Sequence, residues 1–154
     1  MADWQELKDA CSQCRRCGLC EGRHHVVFGI GNEKADIMFI GEGPGEQEDL
    51  SGIPFVGPAG KLLDDILSII DLYRDENCYI ANIVKCRPPR NRDPREEEQD
   101  ACIGYLQEQI ALVKPRIIVC LGRIAATKLI RKDFRITKEH GTWTQINGIW
   151  MTAT

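Results

Sequence analysis

Three apolar runs each end in a glycine or a polar loop: "ADIMFIGEG" at residues 35–43, "CYIANIV" at 78–84 and "PRIIVCLG" at 115–122. Runs this short and this uniformly apolar read as strands buried on both faces. The segments between them have helical spacing. "AGKLLDDILSIIDLY" puts Leu62, Leu63, Ile66, Ile69, Ile70 and Tyr73 on one stripe. "DPREEEQDACIGYLQEQIALV" predicts a helix with Asp93 as N-cap, Pro94 at its first position and Glu96 closing a capping box. A short helix is expected over residues 3–13, another over "RIAATKLIRK", and a hairpin turning at Asn147-Gly148 near the end. Strands alternating with helices define an α/β fold: a three-layer sandwich with a central, mostly parallel, four-stranded sheet flanked by helices.

The 154 residues suit a single domain spanning 1–154. The sequence stops at Thr154 inside what reads as the last strand, so it is expected to be incomplete at its C-terminus. No apolar run approaches the roughly 20 residues of a membrane span, and the charged N-terminus "MADWQELKDA" is unlike a signal peptide. A cytoplasmic location is expected, where eight cysteines point to metal or redox chemistry rather than disulfides. The net charge of −3 gives no global sign of a nucleic-acid partner.

In such folds ligands bind beyond the carboxyl ends of the strands. The loop "GEGPGEQED", residues 41–49, resembles a phosphate loop only superficially. A dinucleotide fingerprint needs glycine where Glu46 stands, and four carboxylates in nine residues repel pyrophosphate. "GPAGKLL" lacks the Ser or Thr of a Walker loop. The loop suits a site where backbone N–H groups meet a polar ligand and an acid positions water.

The N-terminal cysteines, "CSQCRRCGLC", fail the ferredoxin pattern at its end: the last gap is two residues and Glu21 follows Cys20. Cys78 and Cys120 lie in apolar runs and read as small core residues. After the second strand, "VKCRPPRNRDPR" carries Lys85, Arg87, Arg90, Arg92 and Arg95 against one acid, Asp93. That basic loop is expected to meet DNA phosphates through Lys85, Arg87, Arg90 and Arg92.

Two long motifs, "GEGPGEQEDLSGIPFVGPAGKLLDDIL" and "YIANIVKCRPPRNRDP", closely resemble the family 4, iron–sulfur, uracil-DNA glycosylases. The resemblance runs from about Cys14 to the last residue. It implies hydrolysis of the N-glycosidic bond of deoxyuridine in DNA, which starts base excision repair. It also implies a four-iron–four-sulfur cluster on Cys14, Cys17, Cys86 and Cys102, with Cys11 and Cys20 as bystanders; zinc on the same thiolates is the alternative. Uracil-containing DNA is the expected partner of a protein expected to be monomeric.

The family's stacking aromatic corresponds to Phe55 and its base-reading amide to Asn82. An amide oxygen accepts from uracil N3–H while its nitrogen donates to O4, and cytosine reverses both groups. Backbone N–H groups of Gly41, Glu42 and Gly43 suit the charge that develops on uracil. The water-positioning acid of the best-known branch falls where this chain has Gly43, which leaves Glu42 or Glu48 for that role. That branch's thymine-excluding tyrosine is Gly45 here. The family's His-Pro motif after the last strand is not in this sequence, and His24, His25 and His140 lie outside its context. Two other readings stand beside the enzyme: a catalytically silent nucleic-acid-binding module with the same cluster, and a redox protein built on Cys11 to Cys20.

Overall fold

The computed structural model describes residues 3–154. The three apolar runs form strands β2 (Ile37–Gly41), β3 (Tyr79–Asn82) and β4 (Ile117–Cys120). They pair in parallel, β2 lying between β3 and β4, and β6 (Ile149–Ala153) extends the parallel set beyond β4. Met38, Ile40, Ile80, Ala81, Ile118 and Cys120 are fully buried, which is why the runs lack polar alternation. The expected α/β sandwich is present, but its sheet has six strands rather than four, in the order β1-β3-β2-β4-β6-β5. The additions are short antiparallel edges, β1 (Ile30–Gly31) against β3 and β5 (Thr144–Ile146) against β6. A two-residue strand carries too little pattern to be read from sequence. The β5–β6 turn falls at Asn147-Gly148 as expected, with φ of 51° and 81°, the backbone of a type I′ turn.

Helix α1 (Trp4–Ser12) begins at Asp3, whose carboxylate accepts from Glu6 N–H. Trp4 then packs edge-on against Phe28 and Tyr79 at 5.4 and 5.3 Å, docking the helix onto the core. Helix α4 (Glu96–Val113) starts two residues later than the sequence predicts. Glu98, not Glu96, closes its first turn: the carboxylate accepts from Arg95 N–H at 2.8 Å and binds Arg92 through both oxygens. Asp93 is free of the capping role and instead pairs with Arg123 at the start of α5 (Arg123–Leu129), 2.6 Å away.

Helices α2 (Glu46–Ser51) and α3 (Pro58–Ile69) follow β2. The apolar stripe faces largely outward. Leu67 is buried and Leu63 half-buried, but Leu62, Ile66, Ile69, Ile70 and Tyr73 are exposed. With Ile37, Phe39, Ile117, Val119 and Trp143, parts of this stripe line an open apolar groove of about 600 Å³ over one face of the sheet. The last short helix, α6 (Ile136–Glu139), leads into the hairpin.

The start of α3 meets the preceding loop without space to spare. A Cβ on Gly60 would lie 1.9 Å from the carbonyl oxygen of Phe55, so backbone meets backbone. Gly60→Ala should therefore destabilise the protein by about 1–3 kcal/mol despite alanine's better helix propensity. Denaturant unfolding checks this, and an unchanged midpoint would show that the loop yields freely.

Candidate active site

The parallel register of β2 and β3 aligns Gly41 with Asn82 at the carboxyl ends of both strands. The pairing continues past the strands, through Ile83 N–H to Gly41 O at 2.9 Å and Val84 N–H to Glu42 O at 3.2 Å. A Cβ on Gly41 would lie 2.4 Å from Cζ of Phe55 and 2.7 Å from Oδ1 of Asn82. Glycine is therefore what lets the aromatic ring and the amide stand together over the strand end. Asn82 is 1% exposed, and its Oδ1 has no hydrogen-bond partner among the described residues. A buried amide oxygen left unpaired is unfavourable by about 1–3 kcal/mol, so its persistence points to a donor supplied from outside.

Phe55 is held in left-handed backbone, φ 52°. Arg74 holds it there, donating to Pro54 O at 2.6 Å and Phe55 O at 2.7 Å. Strain of this kind at a phenylalanine is expected where a ring must be presented in one orientation.

The two acids of the glycine loop have separated roles. Glu48 accepts from the N–H groups of Gly45, Val56 and Gly57, each at 2.9 Å, and so clasps the glycine loop to the Phe55 loop. Burial alone would raise its pKa, but the three N–H groups outweigh burial and hold the carboxyl below its ordinary range. Glu42 differs: burial first, and then the nearby Asp93 charge, raise its pKa, with Arg123 acting in the opposite sense. Gly43 is half-buried against Val84, whose Cγ2 would lie 2.7 Å from a Cβ at that position. Asp93 and Arg123 are site-edge residues that sequence reasoning missed; their pairing spans 30 residues and leaves no local signal.

Two of the histidines are tied to α2. Asp49 is 1% exposed and accepts from His24 N–H at 2.8 Å, with His24 Nδ1 at 2.5 Å, while His25 Nδ1 lies 2.9 Å from Asp49 O.

Cys14, Cys17, Cys86 and Cys102 line one cleft, joined there by Cys11 and Cys20. The geometry thus gathers six sulfurs and does not set Cys11 and Cys20 apart from the other four. No group of three or more Cys, His, Asp or Glu side chains stands at metal-ligand spacing among the described residues. The surroundings nevertheless suit thiolates: Lys85 N–H reaches Cys102 Sγ at 3.3 Å, Arg16 N–H reaches Cys14 Sγ at 3.5 Å, and the Arg23 guanidinium approaches Cys86 Sγ at 3.6 Å. Burial pushes the Cys86 thiol up to about 11 and Cys11 up to about 12, and raises Cys17 and Cys102 as well. Thiols so reluctant to ionise become ligands when a cation displaces their protons. Cys78 and Cys120 are fully buried core residues, as expected.

The basic loop divides. Arg90 is exposed and Arg87 half-buried, with Arg87 Nε donating to Asn91. Arg92 is engaged by Glu98. Lys85 is not a surface cation: it is 1% exposed and its ammonium is bonded inside the protein, so it is removed from the residues that can touch phosphate. Its place inside the apolar run "IANIVKC" was the available signal.

A family described as the uracil DNA glycosylase superfamily matches residues 28–153, and the chain belongs to it. Among curated relatives, type-4 uracil-DNA glycosylases are similar to it at three levels. The Archaeoglobus fulgidus protein is 55% identical over 113 residues, covering 73% of this chain and 56% of that protein. The Saccharolobus solfataricus protein is 49% identical over 126 residues, covering 82% and 58%. The Thermotoga maritima protein is 46% identical over 136 residues, covering 88% and 70%. The chain thus spans a little over half the length of the first two.

The Glu48 clasp carries a signed pH dependence. A carboxyl whose folded pKa is depressed contributes stability above its unfolded pKa and loses it as pH falls through the folded value. Glu48→Gln should therefore lower stability by about 1–3 kcal/mol at neutral pH and remove part of the acid-induced loss. Chemical unfolding at neutral and acidic pH measures both; equal losses at each pH would dismiss the clasp.

Proposed function

We propose that the protein is a uracil-DNA glycosylase, hydrolysing the N-glycosidic bond of deoxyuridine in DNA to release uracil and so open base excision repair. The observation that carries this reading is the buried, unpartnered Oδ1 of Asn82 beside the Phe55 ring at the ends of β2 and β3. Family membership and relatives named type-4 uracil-DNA glycosylase support it.

A base within a duplex is out of reach, so uracil enters this site only when flipped out of the stack. Phe55 then offers a face for stacking. Asn82 Oδ1 accepts from N3–H, which satisfies the orphaned oxygen, and its nitrogen donates to O4. As the C1′–N1 bond breaks, the electron pair leaves with uracil, and backbone N–H groups of the Gly41–Gly43 turn stabilise the charge spread toward O2. Water adds to C1′. With Glu48 engaged by three backbone groups, Glu42 is the acid for orienting that water, and as a carboxylate it also stabilises the positive sugar. Arg87 and Arg90 meet DNA phosphates.

The cysteine cleft is proposed to hold a four-iron–four-sulfur cluster on Cys14, Cys17, Cys86 and Cys102. Soft sulfur donors flanked by N–H groups fit such a cluster, and zinc is the other metal they suit. When bound, the group supplies a cross-link between the N-terminal segment, the loop after β3 and α4. Eight free cysteines agree with a reducing, cytoplasmic setting.

Uracil release from a single-stranded oligonucleotide by the full gene product tests the assignment. Asn82→Asp should slow it by about 100-fold or more, because a site built on hydrogen bonds rejects a mismatched partner strongly. Any cytosine release gained should grow as pH falls, since only the protonated carboxyl donates to cytosine N3. Full uracil release by Asn82→Asp defeats the pocket described here.

Metal analysis checks the cleft independently. Protein purified without air should be brown and carry about four irons per chain. Cys14→Ala or Cys102→Ala should lose them, whereas Cys11→Ala and Cys20→Ala should not. Zinc in place of iron, or loss of metal in Cys20→Ala, reassigns the site.

A further inference from the structure

Lys85 is a fully buried lysine whose ammonium no carboxylate meets among the described residues. Nζ donates to the main-chain carbonyl of Asn82 at 3.0 Å and to Gln109 Oε1 at 2.7 Å. Gln109 is wholly buried and itself fixed, its Nε2 donating to Phe28 O at 3.0 Å and to Tyr79 Oη at 3.2 Å. The main chain of residue 85 is held as firmly. Its N–H donates to Cys102 Sγ, and its carbonyl accepts from Val27 N–H at 2.8 Å. The ring of Phe28 lies 5.9 Å from Nζ.

A buried ammonium without a negative partner is strongly unfavourable, and a methionine would fill the same volume without that penalty. Lys85 itself lines the cysteine cleft together with Cys11 and Cys102, and its own N–H meets Cys102 Sγ at 3.3 Å. Among the described residues the cleft is the one place that can offer it negative charge, through thiolates when metal is bound. The same ammonium grips the carbonyl of the residue whose amide faces the base. We propose that Lys85 is a positioning residue that couples the cysteine cleft to base reading, its ammonium serving both as the internal counter-charge of the metal-loaded thiolates and as the anchor of the Asn82 main chain. This rests on the reading of Asn82 and the cleft given above. The hold fixes the main chain from which the Asn82 side chain projects.

The test is Lys85→Met in the metal-loaded protein, with folding checked by thermal unfolding. If the single variant fails to fold, Lys85→Met with Gln109→Leu removes both members of the buried pair, and the same measurements are made on it. Two readouts are taken: metal retained against a chelator, and kcat and KM for uracil release. Changes to groups that support a metal site cost about 10- to 100-fold in metal affinity or activity. Metal retention and kcat should each fall by that much, with KM for DNA little changed in the protein that still holds its metal, because Arg87 and Arg90 are untouched. A folded variant with wild-type kcat overturns the anchoring role, and one with wild-type metal retention overturns the counter-charge role. Asn82→Asp, measured alongside, separates the causes. A slow Asn82→Asp beside a fast Lys85→Met removes only Lys85, whereas a fast Asn82→Asp removes the base-reading assignment itself.

Discussion

Parallel pairing between β2 and β3 is the constraint on which the candidate site depends. It aligns Gly41 with Asn82, and the strand ends then hold the glycine loop and the amide at one level. Everything else is fitted to that edge. Phe55 enters from the α2–α3 loop and is fixed by Arg74 and by the missing side chain of Gly60. Glu48 joins the two loops from below with three hydrogen bonds. The candidate site is thus made of short irregular segments whose geometry is inherited from a rigid sheet, which is how precise sites on loops are usually built.

The cysteine cleft begins just beyond the same strand end. Cys86 follows β3 by four residues, and Cys102 projects from α4 into the cleft. Between the cleft and the pocket run only Ile83, Val84 and Lys85, all buried. This short span places Asn82 and Cys86 four residues apart on one buried stretch of backbone.

Sequence reasoning recovered what local pattern encodes. The three buried strands, the short helix that became α1 and the Asn147-Gly148 turn are written in neighbouring residues and stand where expected. Membership of the superfamily was equally legible, because its long motifs sit at the strand ends. What escaped depended on partners distant in the chain. Asp93 has the residue type and position of an N-cap, yet its partner is Arg123; Glu98 takes the capping role because Arg92 braces it. Lys85 was counted with its charged neighbours, although an apolar run on one side and a cysteine on the other marked it as interior. Helical spacing in α3 located an apolar stripe correctly but said nothing of which way it faces.

That outward stripe has a consequence for handling. Ile69 is 81% exposed, and Ile70 at 63% and Leu62 at 60% line an apolar groove, on a chain whose net charge is only −3. Weak mutual repulsion between molecules leaves such a surface free to adhere. Sulfate, which strengthens the association of apolar surfaces, should salt this chain out early, whereas mild chaotropes and low ionic strength should keep it dispersed. Its colloidal behaviour is thereby set by one helix face rather than by the composition of the whole.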